Sequence, residues 1–401
     1  MNALEKTPCR GCGEATLRLA LDLGSQPLAG GFLAGPEAIA SEQQFPLRAF
    51  VCDNCSLVQI IDVVDPEILF QDYSFSSSTI PPLVTHFREY ASWLHERFDP
   101  SCVVEFGCND GVLLEPLQKL GVDAWGVDIS ENITELARSK GLQVLTGFFD
   151  VAAAEEILGR AGRADIVTGS NAFAHNEEPE RILEATKAVL APSGHLCLEV
   201  MYAGDLLELM QWDTLYHEHL TFYSLGTLRT LLERHGFYLV HAERIPMHGG
   251  SLRVSAALAP GEASDELRAL EEYEREQKLN DPDTWIDFGA RVGRKIEIVR
   301  DVFDALRGSK RIWGYGAAGK ATMWVNATGM DYLEAMVDAS PLRAGKLMPG
   351  THTPIVFPDE MRKSPPDIVF ITAWNYADNI RRNEAWYEGM WATPLPDLRF
   401  F

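Results

Sequence analysis

The stretch "SCVVEFGCNDGVLLEPLQKLG", residues 101–121, decides the fold of the middle of the chain. An apolar run, Val103–Phe106, is followed at once by a turn containing Gly107 and Gly111, and then by leucines at helical spacing. A strand, a tight turn and a helix in this order are typical of the first unit of a Rossmann-like sheet, whose turn binds a nucleotide-containing ligand. We therefore expect a parallel sheet to begin here.

The residues on either side continue the alternation of helix and strand. An amphipathic helix is predicted from Leu83 to Arg97. Apolar strand patterns recur downstream as "AWGVDIS" (124–130), "GLQVLTG" (141–147), "ADIVTGS" (164–170) and "GHLCLEVMY" (194–202). This repetition predicts an α/β domain with a doubly wound sheet. Such sheets bind ligands at the carboxyl ends of their strands, so Asn171 and His175, which follow the fourth strand, are candidates for the cleft.

The glycine turn differs from the dinucleotide pattern Gly-x-Gly-x-x-Gly, because Asn109 and Asp110 occupy its middle. A ligand without a pyrophosphate needs no close approach of backbone amides to phosphate oxygens, and an acidic residue can face a cation. S-adenosylmethionine carries an ammonium and a sulfonium group, so we predict that it binds here; a different nucleotide ligand is the alternative. The predicted contacts are Glu105, Gly107, Asn109, Gly111, the ribose-facing Asp128, and Asn171.

Two Cys-x-x-Cys pairs stand near the start of the chain, Cys9 with Cys12 and Cys52 with Cys55. The two-residue spacing lets both thiolates of a pair bind one ion, and four thiolates leave no position for a reactive water. The long insertion between the pairs opposes a shared site only weakly, because the entropy of loop closure grows logarithmically with length. We predict a structural zinc site; two unrelated redox pairs or free thiols are the alternative.

A second glycine pattern lies in "KRIWGYGAAGKATMW", residues 310–324, where Gly314, Gly316 and Gly319 follow an apolar strand and open a helix. It has three interpretations. With Asp338 downstream it fits a nicotinamide cofactor; its amides and Lys320 equally fit the diphosphate of a nucleotide-linked substrate; or the glycines serve only close helix–strand packing. No acid–base group of a dehydrogenase is identifiable nearby.

The residues around this pattern predict a second α/β domain. Its strands are expected in "RIWGYG" (311–316), "EAMVDAS" (334–340) and "DIVFITAW" (367–374). The charged segment 261–283 precedes it and is predicted to be a solvated helix.

The segment "LYHEHLTFYS", residues 215–224, crowds His217, Glu218 and His219 between tyrosines. Its aromatic and β-branched residues favour an extended or turn conformation, and in an extended segment the two imidazoles share a face. The spacing is not His-Glu-x-x-His, which disfavours a hydrolytic metal site. Two interpretations remain: imidazoles bonded to backbone carbonyls for structure, or proton transfer, in which Glu218 orients an imidazole and a tyrosine binds a substrate oxygen.

The overall composition limits the class of protein. The chain has 401 residues, a formal net charge of −23 and seven cysteines. This length predicts two or three domains, and the negative charge disfavours nucleic acid as a partner. No apolar stretch is long enough to span a membrane, and the first residues lack the apolar core of a signal peptide. We expect a cytoplasmic protein with no membrane partner.

Together these motifs resemble the family of sugar C-methyltransferases that act on nucleotide-linked 4-keto deoxysugars. The resemblance is collinear over nearly the whole chain. It rests on the two cysteine pairs and on "EFGCNDG", "SNAFAH", "DTLYHEHLTFYS", "HGGSLRV", "GYGAAGKA" and "VDASPLRAGKLMPGTHTPI". It implies a small zinc-binding module at residues 1–78, a central Rossmann-like methyltransferase domain at 79–245, and a C-terminal Rossmann-like α/β domain at 246–401 that helps to hold the sugar nucleotide.

The resemblance also implies roles for individual residues. The family's base corresponds to His219, with Glu218 beside it, Tyr216 at the sugar and His175 as the other active-site histidine. Further substrate contacts are expected from Tyr73, His217, His248, Ser251, Arg253 and Lys320. Phe75 stands where relatives often have a second tyrosine, so one sugar contact is expected to differ.

The implied reaction is methylation of a carbon, with C3 favoured, of a dTDP- or GDP-linked 4-keto sugar. The ketone acidifies the adjacent C–H bond, His219 removes the proton, and the resulting enolate takes the methyl group of S-adenosylmethionine. Zinc has no part in the chemistry. An NAD-dependent oxidoreductase that uses the Gly314–Gly319 loop, an O- or N-methyltransferase, and a non-catalytic regulatory protein are the alternatives. A monomer or a small homo-oligomer is expected.

Overall fold

A computed structural model of the chain describes residues 7–70 and 76–401, and the strands of these residues form three sheets. The first sheet contains β1 Leu17–Pro27, β2 Gln44–Cys52, β3 Val58–Ile60 and β9 Thr221–Phe222. Its order is β1-β2-β3-β9, and every neighbouring pair is antiparallel. The cysteine pairs lie beside this sheet, one just before β1 and the other at the end of β2.

The second sheet contains β4 Cys102–Phe106, β5 Asp123–Asp128, β6 Gln143–Thr146, β7 Ala164–Ser170, β8 Leu190–Met201, β10 Tyr238–Ile245 and β11 Ser251–Ala257. Its order is β10-β11-β8-β7-β4-β5-β6, and β11 runs antiparallel to both of its neighbours while the other pairs are parallel. All five residues of β4 are buried, as expected for a central strand covered on both faces. The predicted doubly wound α/β sheet is confirmed.

The third sheet contains β12 Ile312–Tyr315, β13 Met336–Val337, β14 Ile355–Val356, β15 Ile368–Ile371, β16 Met390–Thr393 and β17 Arg399–Phe400. Its order is β14-β13-β12-β15-β16-β17, parallel except for the last pair. The strands predicted around the second glycine pattern correspond to β12, β13 and β15. The C-terminal Rossmann-like part is therefore present as expected.

The described residues also form the α-helices of the chain. They are α1 Pro66–Phe70, α2 Pro81–Phe98, α3 Leu114–Lys119, α4 Glu131–Ser139, α5 Val151–Ala161, α6 Pro179–Val189, α7 Ala203–Glu208, α8 Leu225–Arg234, α9 Asp265–Gln277, α10 Pro282–Leu306, α11 Gly319–Thr328, α12 Pro358–Lys363 and α13 Ala377–Asn383. The amphipathic helix predicted from Leu83 is α2, and the charged segment contains α9.

Several contacts join the three sheets. The short strand β9 comes from the middle of the chain but pairs with β3 of the first sheet. Helix α10 packs on β1 so closely that a Cβ atom at Gly289 would lie 1.8 Å from the carbonyl oxygen of Ala20. His352 Nε2 lies 2.8 Å from a carboxylate oxygen of Glu42. The N-terminal sheet therefore contacts both of the other parts.

The predicted division at residues 245 and 246 falls between β10 and β11, which are paired neighbours in the second sheet. Residues 251–257, assigned from sequence to the C-terminal domain, lie between β8 and β10. The chain therefore leaves the second sheet only after β11. Among the described residues, no helix combines the length and apolar character needed to cross a bilayer.

Candidate active site

Backbone hydrogen bonds hold the segment that carries the histidine cluster between the first and the second sheet. The backbone of Leu220 donates to Ala174 at 2.9 Å and accepts from Ile60, also at 2.9 Å. Ala174 belongs to the short 3-10 helix Phe173–His175 that follows β7, so this bond places the segment at the carboxyl end of a central strand. A capping box at Ser224 then begins α8. The cluster is thus held by the sheets on either side of it.

The imidazole of His219 stands between two other rings. Its centroid is 5.1 Å from that of His175, which stacks on it, and 4.0 Å from that of Tyr216. His219 Nδ1 lies 2.8 Å from the carbonyl oxygen of Thr214. A carbonyl can only accept, so Nδ1 carries the proton and, in the neutral ring, Nε2 holds the lone pair. The ring is therefore presented as a base.

The electrostatic surroundings keep these imidazoles neutral. Burial lowers the pKa of His219 well below its usual value, and the neighbouring His175, His248 and Lys320 lower it further. Burial also lowers the pKa of His175 to about 4. Both rings are consequently uncharged at neutral pH, which leaves the lone pair of His219 available.

The structure separates His217 from this cluster. Its side chain is fully buried, its Nε2 lies 3.2 Å from the carbonyl oxygen of Pro46, and its ring meets Phe45 edge-on. Of the two predicted conformations, extended or turn, residues 216–219 adopt the turn, which is closed by a bond from His219 N to Tyr216 O at 2.9 Å. The turn sends the two imidazoles in different directions, so His217 does not reach the cleft as the sequence suggested.

Glu218 faces the N-terminal module. Burial raises the pKa of this carboxyl to about 7, although the backbone amide of Gly30 opposes the rise. Its Oε2 has no hydrogen-bond partner among the described residues, and no hydrogen bond there joins it to either neighbouring imidazole. The expected orientation of an imidazole by Glu218 is therefore wrong: the carbonyl of Thr214 orients His219 instead.

The turn after β4 has the backbone expected of a cofactor site. Gly107 and Gly111 both have positive φ, at 67° and 79°. A Cβ atom at Gly107 would lie 2.4 Å from the Cβ of Ala172, the residue that follows Asn171. The turn and the carboxyl end of β7 are therefore in contact, and side chains larger than hydrogen do not fit between them.

Asp128 and Asn109 stabilise this turn. The Asp128 carboxylate accepts from the amide of Asn109 at 2.9 Å and from that of Ser130 at 3.0 Å. The Asn109 side chain accepts from the amide of Ser77 at 2.9 Å, so it holds the backbone of the segment before α2. The side chain of Asn109 is therefore engaged within the protein, and its predicted contact with the cofactor would be made by its main chain. Tyr73 and Phe75, named from sequence for the substrate, lie outside the described residues.

Two buried polar atoms at this edge of the sheet have no hydrogen-bond partner among the described residues. One is Oε2 of Glu105, whose side chain is 2% exposed, and the other is Oδ1 of Asn171. Burial and the nearby carboxylates, Asp128 first, raise the pKa of Glu105. An unpaired buried acceptor is costly unless a ligand donates to it. Both atoms therefore fit the ammonium and hydroxyl donors of S-adenosylmethionine.

The loop "MHGGSLRVS" reaches the cleft only in part. His248, at φ 55°, contributes to the electrostatic surroundings of His219. Arg253, by contrast, lies in β11 and donates to Glu199 at 2.7 and 2.9 Å. The hydroxyl of Ser251 is buried and donates to the carbonyl of Met247. Arg253 and Ser251 therefore hold the sheet together in this structure rather than line the cleft as the sequence suggested.

The second glycine pattern brings Lys320 to the same cleft. Gly319 abuts Tyr216, since a Cβ atom there would lie 3.5 Å from its ring. Lys320 Nζ is buried, lies 4.7 Å from the ring centroid of Trp374 and has no hydrogen-bond partner among the described residues. Burial lowers the pKa of this ammonium, and Asp213 opposes the shift. Lys320 thus places a cation beside the histidine cluster.

The four cysteines predicted to bind zinc converge. Their sulfur atoms all lie within 4.8 Å of one another. The Sγ atoms of Cys9 and Cys55 are 3.6 Å apart, and those of Cys12 and Cys52 are 3.5 Å apart. Tetrahedral thiolates at about 2.3 Å from zinc would be about 3.8 Å apart, so the four sulfurs fit one ion. Four thiolates fill its coordination shell, which makes the site structural.

The chain matches three family descriptions in order: a putative zinc binding domain at residues 9–70, a methyltransferase domain at 83–242 and a C-methyltransferase C-terminal domain at 246–396. C-methyltransferase NovU from Streptomyces niveus is 35% identical, with 98% of this chain and 96% of NovU aligned.

The chain belongs to the C-methyltransferase family.

Other matches cover smaller shares of the chain. A ubiquinone biosynthesis O-methyltransferase from Colwellia psychrerythraea is 26% identical over 36% of this chain and 63% of its own length. The crystal structure of magnesium protoporphyrin IX methyltransferase from Synechocystis with bound SAH has a TM-score of 0.35 and 19% identity, covering 43% of this chain and 82% of that chain.

Family membership, together with the site, supplies the class of enzyme and its cofactors. The C-methyltransferase uses S-adenosylmethionine, for which the turn after β4 is built, and a zinc ion, for which the four cysteines are built. The oxidoreductase alternative loses its support. The carboxylate of Asp338, which would contact a nicotinamide ribose, already accepts from the Arg343 guanidinium at 3.1 Å.

Sequence reasoning missed two residues of the C-methyltransferase site. Thr214 orients His219 through its carbonyl oxygen, and a backbone contact of this kind leaves no signal in residue type. Asp213 is fully buried beside Lys320 and accepts two indole N–H groups. The sequence "WDTLYHEH" offered a hint, because an acidic residue follows a tryptophan just before the histidine cluster.

Proposed function

We propose that this C-methyltransferase methylates a carbon, with C3 favoured, of a nucleotide-linked 4-keto sugar, and that His219 generates the nucleophile. The proposal rests on the shared family, on the resemblance of the ordered motifs to enzymes acting on such sugars, and on the geometry of the base. The proposed parts are a zinc-binding part at residues 1–78, a methyltransferase part at 79–245 and a nucleotide-binding part at 246–401. Two strands cross these limits: β9 joins the first sheet, and β11 joins the second. The cytoplasm is the proposed location.

The orientation of His219 is the observation that carries the proposal. The carbonyl of Thr214 holds the proton on Nδ1, so Nε2 can take the proton from the carbon beside the sugar ketone. The lowered pKa keeps the ring neutral before the reaction. After proton transfer the buried imidazolium is acidic, so it releases the proton to solvent readily once the methyl group has been transferred to carbon.

The developing enolate oxygen needs a donor within the same cleft. His175 and Tyr216 flank the ring of His219 and carry N–H and O–H groups. One preorganised donor at such an oxygen contributes about 3 kcal/mol, or roughly a hundredfold in rate. These two side chains are therefore the proposed electrophilic residues.

The methyl donor would be held by the turn after β4. When bound, S-adenosylmethionine supplies an electrophilic methyl group on a positively charged sulfur. Glu105 would accept from its ammonium, and the Asp128 carboxylate would accept from the ribose hydroxyls. These contacts fix the donor against the sheet, and most of the rate gain comes from orienting two held reactants.

The nucleotide part of the substrate would lie against α11 and Lys320. The chain carries a net charge of −23, so a diphosphate must be held by a local cation and by helix N-terminal amides. Lys320 is a buried cation without a hydrogen-bond partner among the described residues, and it stands beside Tyr216 and His219. It is the proposed diphosphate contact, with His248 nearby.

The test is an assay with labelled S-adenosylmethionine and a panel of dTDP- and GDP-linked 4-keto sugars, read by mass spectrometry and by NMR of the product. We expect one sugar to gain the label as a methyl group on carbon. A product with the label on oxygen or nitrogen would favour the O- or N-methyltransferase alternative. Transfer to no member of the panel, with S-adenosylmethionine bound, would remove the 4-keto sugar as substrate.

A further inference from the structure

Asp213 occupies an unusual position beside the cleft. It lies in the short 3-10 helix Trp212–Thr214 and is fully buried. Its Oδ2 accepts from Trp324 Nε1 at 3.0 Å and from Trp374 Nε1 at 2.8 Å. Both tryptophans belong to the C-terminal part, so one carboxylate of the central part bonds to two side chains across the interface.

The same carboxylate acts on Lys320. The Lys320 ammonium rests over the ring of Trp374 at 4.7 Å, so one indole has Asp213 at its N–H and the cation on its face. Oδ1 of Asp213 and Nζ of Lys320 are both buried and lack hydrogen-bond partners among the described residues. An anion at the indole N–H enriches the ring in electrons, which strengthens its attraction for a cation.

The 3-10 helix that contains Asp213 also orients the base. Thr214, the next residue, provides the carbonyl oxygen that holds His219. A single short element therefore contacts the base through its backbone and, through its side chain, the indole on whose face the cation rests. Movement of this element would shift both groups, so their relative position is fixed by one piece of chain.

We propose that Asp213 is a positioning residue: through Trp374 it holds Lys320 in the cleft and keeps it cationic for a diphosphate group. The inference rests on the proposed function, because it takes Lys320 as the diphosphate contact. The titratable groups that face Lys320 are Asp213 from the 3-10 helix, His219 from the turn and His248 from the loop before β11. Asp213 is the acidic member of this set.

The direction of the effect follows from the charges. Burial lowers the pKa of Lys320 and the carboxylate of Asp213 raises it again. Replacement by asparagine removes the charge but keeps an oxygen acceptor for the indoles. The pKa of Lys320 then falls further, so the cation is lost at a lower pH.

The experiment measures binding of thymidine diphosphate and of GDP by calorimetry between pH 6 and pH 10. In the wild-type enzyme, affinity should fall as Lys320 loses its proton. In Asp213→Asn we expect that fall at a lower pH, with affinity within about twofold of wild type at pH 6 and reduced about tenfold at pH 8. Lys320→Met should bind weakly at every pH. Trp374→Phe keeps the ring and removes the N–H, and should show a smaller shift in the same direction.

The matched control is Glu384→Gln. Glu384 is a buried carboxylate that accepts from Trp386 Nε1 at 2.6 Å but pairs with Arg362 instead of Lys320. The Glu384→Gln variant should be less stable than the wild type, but its affinity for the diphosphate should fall at the same pH as in the wild type. A loss in Asp213→Asn that is equal at every pH would reduce Asp213 to a structural residue and overturn the proposal, as would wild-type binding by Lys320→Met or no binding of either diphosphate by the wild type.

Methyl transfer is scored separately. If the wild type binds a nucleoside diphosphate but methylates no 4-keto sugar, the proposed substrate is wrong while the role of Asp213 is still measured by the shift. If Asp213→Asn does not fold, the Trp374→Phe profile decides: an unshifted profile overturns the proposal.

Discussion

At the scale of single residues, the structure distinguishes two histidines that the sequence presents as a pair. His217 is buried against Pro46, and His219 faces the cleft between His175 and Tyr216. The difference comes from a turn of four residues, not from residue type. Variants at the two positions therefore provide a matched test of the proposed base.

His219→Ala should reduce exchange of deuterium at the carbon beside the sugar ketone by at least about a hundredfold, the lower end expected for losing a general base. Binding of S-adenosylmethionine should be unchanged, because the donor contacts the turn after β4. His217→Gln, the control, should lower the melting temperature and leave exchange per folded molecule near wild type. Exchange is measured by NMR of the 4-keto sugar in deuterated buffer, and wild-type exchange by His219→Ala would place the base elsewhere.

The pH dependence of exchange gives a second prediction at this scale. Because burial lowers the pKa of His219 well below 6.5, the ring stays neutral as pH falls through 6.5. The exchange rate should therefore remain flat from pH 8 down through that value and fall only in more acidic buffer, where the ring gains a proton. A fall centred at 6.5 or above contradicts the burial of this imidazole in the working enzyme.

At the scale of elements, two sets of short turns bind the cofactors. The first is the glycine turn that joins β4 to α3, where Gly107 meets Ala172. The second is the pair of cysteine knuckles beside the first sheet, which close on one point. In both, the backbone brings distant residues together. At the glycine turn there is no space for a larger side chain, and at the knuckles all four sulfurs surround one position.

Gly107→Ala should weaken S-adenosylmethionine binding by tenfold or more, since its Cβ atom would lie 2.4 Å from Ala172 and the turn must move. Gly121→Ala is the control. Gly121 also has a positive φ, 86°, so it shares the backbone strain of about 1–2 kcal/mol, but no atom lies within 4 Å of its added Cβ. Calorimetry on folded protein should show a loss of affinity for S-adenosylmethionine only in Gly107→Ala. Equal affinities in the two variants would mean that this turn does not bind the cofactor.

Cys12→Ser should lower the zinc content from about one ion per chain towards zero and lower the melting temperature by several degrees, because a structural site adds its binding energy to folding. Cys102→Ser changes a buried cysteine outside the cluster and should keep the metal. Elemental analysis and calorimetric melting with and without a chelator measure both effects. Full zinc content in Cys12→Ser would mean that the four sulfurs do not share one ion.

At the scale of the whole molecule, the three sheets are linked by exchanged elements. Strand β9 pairs with β3 of the N-terminal sheet, and α10 packs against β1 from the other direction. The cleft lies where these parts meet: Gly30 faces Glu218, and Gly319 faces Tyr216. The candidate site therefore depends on all three parts being docked.

Gly289→Ala tests this docking. Its added Cβ atom would lie 1.8 Å from the carbonyl oxygen of Ala20, so α10 must move away from β1, at a cost of about 1–3 kcal/mol of stability. Gly293→Ala, one turn later in the same helix, meets no atom within 4 Å and should stabilise the protein by about 0.5–1 kcal/mol. Denaturant unfolding measures both changes. If Gly289→Ala and Gly293→Ala were equally stable, the contact between α10 and β1 would not support the fold.

Local pattern was sufficient for most of the elements. The run before Gly107, the strands after it and the two cysteine pairs are short-range features, and period and spacing alone determine them. The order of the motifs along the chain was likewise sufficient for the resemblance to sugar C-methyltransferases. The strands and the cysteine pairs could be predicted because each is set by residues that are neighbours in sequence.

Only the tertiary structure decided which polar residues meet. Arg253 pairs with Glu199, His217 turns to Pro46, and β11 enters the second sheet after the predicted boundary. The approach of Asp213 to Lys320 joins residues more than a hundred positions apart. A sequence specifies residue types and local conformation, but the direction of a side chain depends on backbone turns and on partners brought close by long-range packing, so these contacts appear only when the sheets are docked.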